Sequence, residues 1–286
     1  MSSTKAHRSH NGAKTFKRIV AFKRKYLAIP YFIFLILFVL IPILIILVYA
    51  FTKTNEAGQL VFSFDSLVEF FSSPTKLNVL VVSLFIGIIN TILCLAIGYP
   101  IAYLLADKKV NKNYVMVMLF VMPMWINFVL RTGATRDVLY AMGIKGGEHP
   151  YAATLIGLVY NYLPFTILPL YTTMIKLDRS QIEAARDLGC NPFQTFTHSI
   201  LPQSIPGIIS AAEMVFMPTM SSYVISDTLS EGKLTLFGNS IANSFNNSLW
   251  NDGSFMAFIM LALIFITMFI TNRFHKDGEE QRGRLW

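Results

Sequence analysis

Four charge-free runs, Tyr26 to Thr52, Leu77 to Ala106, Asn113 to Leu130 and Gly253 to Asn272, restrict what this chain can fold into more than any other feature. Each supplies roughly the 20 residues that an α-helix, rising about 1.5 Å per residue, needs to cross the hydrocarbon core of a bilayer. The runs are continuously apolar rather than alternating, which selects helices over barrel strands, since a barrel wall turns every second side chain inward. With 54% hydrophobic and only 14% charged residues over 286 positions, the composition is not that of a soluble domain. The expected class is an all-α integral membrane protein.

Two shorter apolar stretches complete the pattern. The expected spans run over about 27–51, 77–106, 113–131, 152–174, 205–226 and 254–272, with a basic arm at 1–26 and a tail at 275–286; the six-span domain covers 27–274. The net charge of +8 raises the question of nucleic acid, and its distribution answers against it. Eight basic residues and no acid precede the first span. Such an arm suits anionic lipid, and the run after it is too long for a signal-peptide core. With six spans, the arm, Lys108, Lys109, Lys112, Lys176, Arg179, Arg186 and the four basic residues after the last span fall on one side, making 18 of the 24. The other six are Lys53, Lys76, Arg131, Arg136, Lys145 and Lys233. That asymmetry places both termini and the 175–204 loop in the cytoplasm.

Within that loop, Ser180 to Pro202 reads as a structured insert. Ser180 followed by Glu183 has the S-x-x-E form of a capping box, so a helix is expected to begin there. Gly189 is suited to the left-handed conformation that ends a helix, and Asn191-Pro192 offers an N-cap and first-turn proline for a second one. The expected product is a helix–turn–helix knob. Its first helix has a small face at Ala184 and Ala185, and Phe193, Phe196 and Ile200 recur on the second.

These residues carry a resemblance. Glu183-Ala184-Ala185, then Gly189, then Leu201-Pro202 are spaced like the EAA loop of ABC importer permeases, EAA-x3-G-x9-I-x-L-P, with Ser199 standing where that pattern has isoleucine. Further segments, MPMWINFVLRT from Met122, IGLVYNYLPFTILPLY from Ile156 and PGIISAAEMVFMPTMSSYVISDTL from Pro206, resemble the spermidine/putrescine branch of that family. The resemblance implies a type I ABC importer fold with Glu183, Ala184, Ala185, Gly189, Leu201 and Pro202 forming a coupling hairpin for a cytoplasmic ATPase. It also implies the partners: a second permease subunit, an ATPase dimer that binds ATP and magnesium, and an external polyamine-binding protein. No cofactor is expected in this chain itself.

A conduit for a flexible polycation needs carboxylates and aromatic faces. Glu213 is the one acid well inside an apolar span, and an unpaired carboxylate there costs on the order of 2–3 kcal/mol, so it calls for a purpose or a partner. A hydrogen bond to a neighbouring helix is the competing explanation. Asp227, Trp125, Tyr160, Tyr162 and Tyr223 are the other candidates for the route, against the plain alternative of an interfacial aromatic belt. Arg131, Arg136 and Asp137 are expected to begin an outer loop after the third span.

One reading of the same class and two of different class compete with this one. Related permeases carry iron, sulfate or molybdate, and share the EAA loop. A secondary transporter fits six spans and a buried acid, but it leaves the capped knob without a role and requires paired repeats that are not visible. An intramembrane hydrolase needs H-E-x-x-H, G-x-S-x-G or an equivalent, and none occurs; nor does the G-x-x-x-x-G-K-[ST] of a P-loop motor. The five histidines have no metal-ligand spacing, and two cysteines are too few for a cluster.

Overall fold

The computed structural model describes residues 29–54, 60–107 and 115–283. The basic arm, the Lys108–Lys112 turn and Arg284 lie outside the described residues. The first span, α1, is Ile29–Ala50, and Ala50 is its one buried residue. A π turn at Ile36–Leu40 precedes Pro42, where the proline ring cannot tolerate the carbonyl four residues back and the helix widens to clear it. A short antiparallel hairpin follows, β1 (Thr52–Thr54) with β2 (Leu60–Phe62), in register Thr52 to Phe62. Next come α2 (Asp65–Ser72) and the long span α3 (Pro74–Ala106).

The third apolar run does not form the straight helix that its composition predicts. It folds as α4 (Val115–Val121), a 3-10 turn at Met122–Trp125, and α5 (Phe128–Ala141), bent by 98° at the break. Pro123 denies the chain a donor and Asn127 caps a new helix, its side chain accepting from the N–H groups of Val129 (2.9 Å) and Leu130 (3.4 Å). The expected outer loop at Arg131–Asp137 is therefore helical.

The remaining elements are α6 (Pro150–Met174), α7 (Arg179–Asp187), α8 (Pro192–Ser221), α9 (Tyr223–Ser230), α10 (Phe237–Asn246) and α11 (Trp250–Gly283). Two boundaries depart from expectation. The fifth span begins at Pro192 rather than near 205, because the second helix of the insert continues into it without a break, and it ends at Ser221. The last helix runs to Gly283, so most of the 275–286 tail extends it.

Helices α3, α6 and α8 pack against one another as the centre of the fold. Small and polar residues let them approach closely, as expected where lipid removes the hydrophobic drive for helix association. A Cβ at Gly207 of α8 would lie 2.6 Å from Thr173 Oγ1 of α6, and one at Gly98 of α3 would lie 2.8 Å from Thr166 Cγ2. Asn90 Nδ2 donates to Thr219 Oγ1 at 2.8 Å, both fully buried, and Tyr99 and Ser204 share a 2.8 Å hydroxyl contact. Helix α11 packs on α8 and carries α1 on its other side. Away from α7, at the opposite end of the bundle, Lys76 bridges Asp252 (2.6 Å) and Glu69 (2.9 Å), and Asn251 Nδ2 donates to the Tyr49 carbonyl at 3.0 Å. The outward surface is apolar, with Phe38, Val81 and Phe269 more than half exposed, as lipid contact demands.

Candidate functional site

The insert forms the expected hairpin, with one change at its start. The N-cap of α7 is Asp178, not Ser180: its Oδ1 accepts from the Ser180 N–H at 3.0 Å and the Ser180 hydroxyl at 2.7 Å. Aspartate caps at least as well as serine, and two residues upstream it takes the donors first, which leaves Glu183 exposed and free of any capping duty. The same Ser180 donors hold the Asp178 carboxyl below its ordinary pKa. The Asp178 N–H in turn donates to Gln203 Oε1 at 2.9 Å, which ties the start of the hairpin to α8.

Gly189 ends α7 as expected. At φ +83° it accepts a conformation costly to any residue with a Cβ, and its N–H donates to the Arg186 carbonyl (2.9 Å) while the Cys190 N–H donates to the Ala185 carbonyl (3.1 Å). This pair of bonds is a Schellman motif. Asn191 and Gln194 then form a reciprocal capping box, at 2.8 and 3.0 Å, that starts the second arm. Phe196 packs edge-on against Tyr99 with ring centres 5.8 Å apart. At the departure from the family pattern, a π turn over Phe196–Ile200 adds one residue, so that both Ser199 and Ile200 are buried. Leu201 is half-buried and Pro202 exposed.

No residue of α7 is buried, and the tip is more open still: Leu188 is 87% exposed and Phe193 74%. Ala184 is exposed and Ala185 half-buried. Behind α7, a cavity of about 400 Å³ opens against the ends of α3 and α6, lined by Tyr103, Asp107, Met174, Ile182, Glu183 and Arg186. The geometry is that of a knob fixed at its base and free at its surface.

The candidate route residues are dispersed. Glu213 on α8 is half-buried and accepts a hydrogen bond from the Thr271 hydroxyl of α11, the inter-helix partner that its position in a span requires. Asp227 and Tyr223 are exposed on α9, beyond the break at Ser222. Tyr162 is buried, its hydroxyl donating to the Pro218 carbonyl at 3.2 Å. Tyr160, 45% exposed, and Trp125, 88% exposed, lie on α6 and the 3-10 turn. Arg131 links the helix of Tyr160 to the turn of Trp125. Its guanidinium is buried, with Nε donating to Asn161 Oδ1 at 2.8 Å, Nη1 donating to the Pro123 carbonyl at 2.7 Å, and Cζ 5.9 Å from the Tyr160 ring centre. Arg131 therefore sits in the interior and not in an outer loop. Asn161, which also donates to the Gly157 carbonyl at 2.8 Å, escaped the sequence reading, although an asparagine inside an apolar run is itself a signal of an internal partner. Among the described residues, no three His, Cys, Asp or Glu side chains stand close enough to hold a metal ion.

The chain is 36% identical over 265 residues to the spermidine/putrescine transport system permease protein PotB of Haemophilus influenzae, covering 86% of this chain and 91% of that protein. It is 34% identical over 231 residues to PotB of Escherichia coli K12, covering 74% and 83%. Among solved structures, it is similar to a bacterial ABC transporter involved in the import of the acidic polysaccharide alginate, with a TM-score of 0.58 at 15% identity, covering 91% of this chain and 99% of that one; at this identity the likeness concerns the fold. Residues 18–277 match the family described as binding-protein-dependent transport system inner membrane component. With that match over most of its length and the exposed EAA-type hairpin between its fourth and fifth spans, the chain belongs to this family of multi-pass inner-membrane transport permeases.

Proposed function

We propose that this chain is one of two permease subunits of an ATP-driven polyamine importer, assembled with an ATPase dimer and an external polyamine-binding protein. The observation that carries the drive mechanism is the hairpin Asp178–Pro202: α7 buries nothing in this chain yet is capped at both ends, the form of a surface held for a partner. The cargo follows from the two relatives named for spermidine/putrescine transport. ATP and magnesium belong to the ATPase partner, and the basic arm and tail lie in the cytoplasm beside it.

In this mechanism the ATPase subunits close on ATP and carry the hairpin with them through Glu183, Ala184, Ala185 and Gly189. Leu201 and Pro202 lie within α8, between its first turns, which form the second arm, and its central part, so hairpin motion is delivered directly to a central helix. The spans then reorient outward to receive cargo, and hydrolysis resets them. Glu213, with Asp227, Trp125, Tyr160, Tyr162 and Tyr223, supplies the carboxylate and aromatic surface that the cation meets. Glu213 is bonded to Thr271 across the α8–α11 contact, so cargo binding there would be felt by both helices.

Uptake of radiolabelled spermidine into proteoliposomes bearing the whole complex tests the cargo, with putrescine, sulfate and ferric ion as competitors. Competition by putrescine alone is expected; competition by sulfate or iron instead would reassign the cargo. Replacing Glu183 and Gly189 together is expected to leave membrane insertion intact while hydrolysis no longer drives uptake. Undiminished coupled uptake in that variant would sink the mechanism.

A further inference from the structure

Arg131 presents a problem that the proposed function leaves open. A guanidinium buried in a membrane domain is expensive, and its bonded partners among the described residues are an amide oxygen, a backbone carbonyl and a ring face, with no carboxylate. Charge neutralisation therefore does not account for it, whereas geometry does. At the 98° bend the Pro123 carbonyl accepts a long bond of 3.3 Å from the Ile126 N–H and keeps a lone pair for a further donor, and the negative end of the α4 segment's dipole favours a cation there. Nη1 takes up the Pro123 carbonyl, and Nε, diverging in the plane of the fork, reaches Asn161 on α6. The neighbouring Tyr160 receives the guanidinium on one face and keeps 45% of its surface open. A lysine, with one point charge on a flexible stem, would not hold the two diverging acceptors at once.

We infer that Arg131 is a positioning residue of the cation route: it fastens the turn that carries Trp125 to the helix that carries Tyr160, and so fixes both rings where the polycation passes. This rests on the polyamine reading above. Trp125 lies two residues past the clamped Pro123 carbonyl, and with 88% of its surface exposed it makes little packing of its own to hold it. The clamp supplies what packing does not.

The test uses the complete complex with Arg131→Lys. A nitroxide label on Trp125→Cys, with the other accessible cysteines replaced by serine, reports the turn without any cargo. Its spectrum is expected to sharpen in Arg131→Lys and in Asn161→Ala, and an unchanged spectrum in both would overturn the inference. In uptake, Arg131→Lys is expected to raise KM for spermidine about tenfold, the size of one well-placed cation–π contact, with Vmax within about twofold. Placed in a Trp125→Leu, Tyr160→Leu background, Arg131→Lys is expected to add little, since it acts through those two rings. Fully additive losses, or loss of Vmax at unchanged KM, would instead mark a structural role and overturn the inference. A wild-type complex that takes up no spermidine would sink the cargo reading alone, because the label spectrum still decides whether Arg131 fixes the turn.

Discussion

The hairpin and the α3–α6–α8 seam are built by opposite means. Helix α7 buries none of its nine residues and is shaped by its own ends: Asp178 before it, the Schellman bonds at Gly189 after it, and the Asn191–Gln194 box at the next turn. The seam is shaped by residues far apart in the chain, such as Asn90 with Thr219 and Gly207 with Thr173. A surface kept free for a partner cannot also be used for packing, so its form must come from local hydrogen bonds. Substitutions should accordingly divide into those that unfold and those that uncouple.

The largest effect is expected in the seam. Gly207→Leu drives a side chain into the body of Thr173, and neither helix can withdraw without opening the contact, at a cost of about 3 kcal/mol. The detergent-solubilised protein should show a lowered thermal midpoint and reduced yield; a midpoint equal to wild type would break the comparison. Asn90→Leu is expected to cost about 1 kcal/mol, since it removes the inter-helix bond while Thr219 Oγ1 keeps its 2.7 Å bond to the Val215 carbonyl. Gly189→Val inverts the pattern. No atom lies within 4 Å of the added Cβ, so only the left-handed backbone is penalised, by about 1–2 kcal/mol, and the penalty is confined to the hairpin. Its expected signature is an unchanged global midpoint with a fall in solute taken up per ATP hydrolysed.

Legibility in the sequence follows the same division. The spans and the hairpin's turn could be read because apolar length and capping chemistry act within a few residues, as at Gly189 and Asn191-Pro192. Even there, the S-x-x-E pattern at Ser180 misled by two residues, because Asp178 competes for the same donors and the pattern does not weigh its neighbours. The continuous helix Pro192–Ser221 was hidden by its own start: its first turns carry Gln194, Thr195, Thr197, His198 and Ser199, so hydropathy begins the span only after them, although Thr195 and Ser199 are buried against the bundle. The broken third span was hidden differently. Pro123 and Asn127 are visible signals of a break, but the apolar run continues across them, and the burial of Arg131 depends on Asn161, 30 residues away. Route residues named by type, Glu213 and Asp227 above all, were not gathered into one site, since residue type carries no distance.

The smallest effect expected is also the one that isolates the hairpin from everything else. The Asp178 carboxyl sits below its ordinary pKa because the Ser180 hydroxyl and N–H donate to its ionised form, and a group whose folded pKa is depressed stabilises the fold at pH values above its unfolded pKa. That contribution is complete at neutral pH and is lost as the pH falls below about 4 and through the depressed value. Amide hydrogen exchange at Ser180 and Gln181, corrected for the intrinsic pH dependence, should therefore lose protection in acid, while amides around Asn90 and Thr219 keep theirs. Asp178→Asn preserves a good N-cap acceptor without a titrating group and should remove the acid sensitivity while retaining most of the protection; Asp178→Ala should lower protection at every pH. If the asparagine variant keeps the wild-type pH dependence, another group governs the hairpin's start, and local capping is not what holds it. If the seam amides lose protection alongside Ser180, the two regions unfold as one unit and the contrast between them fails.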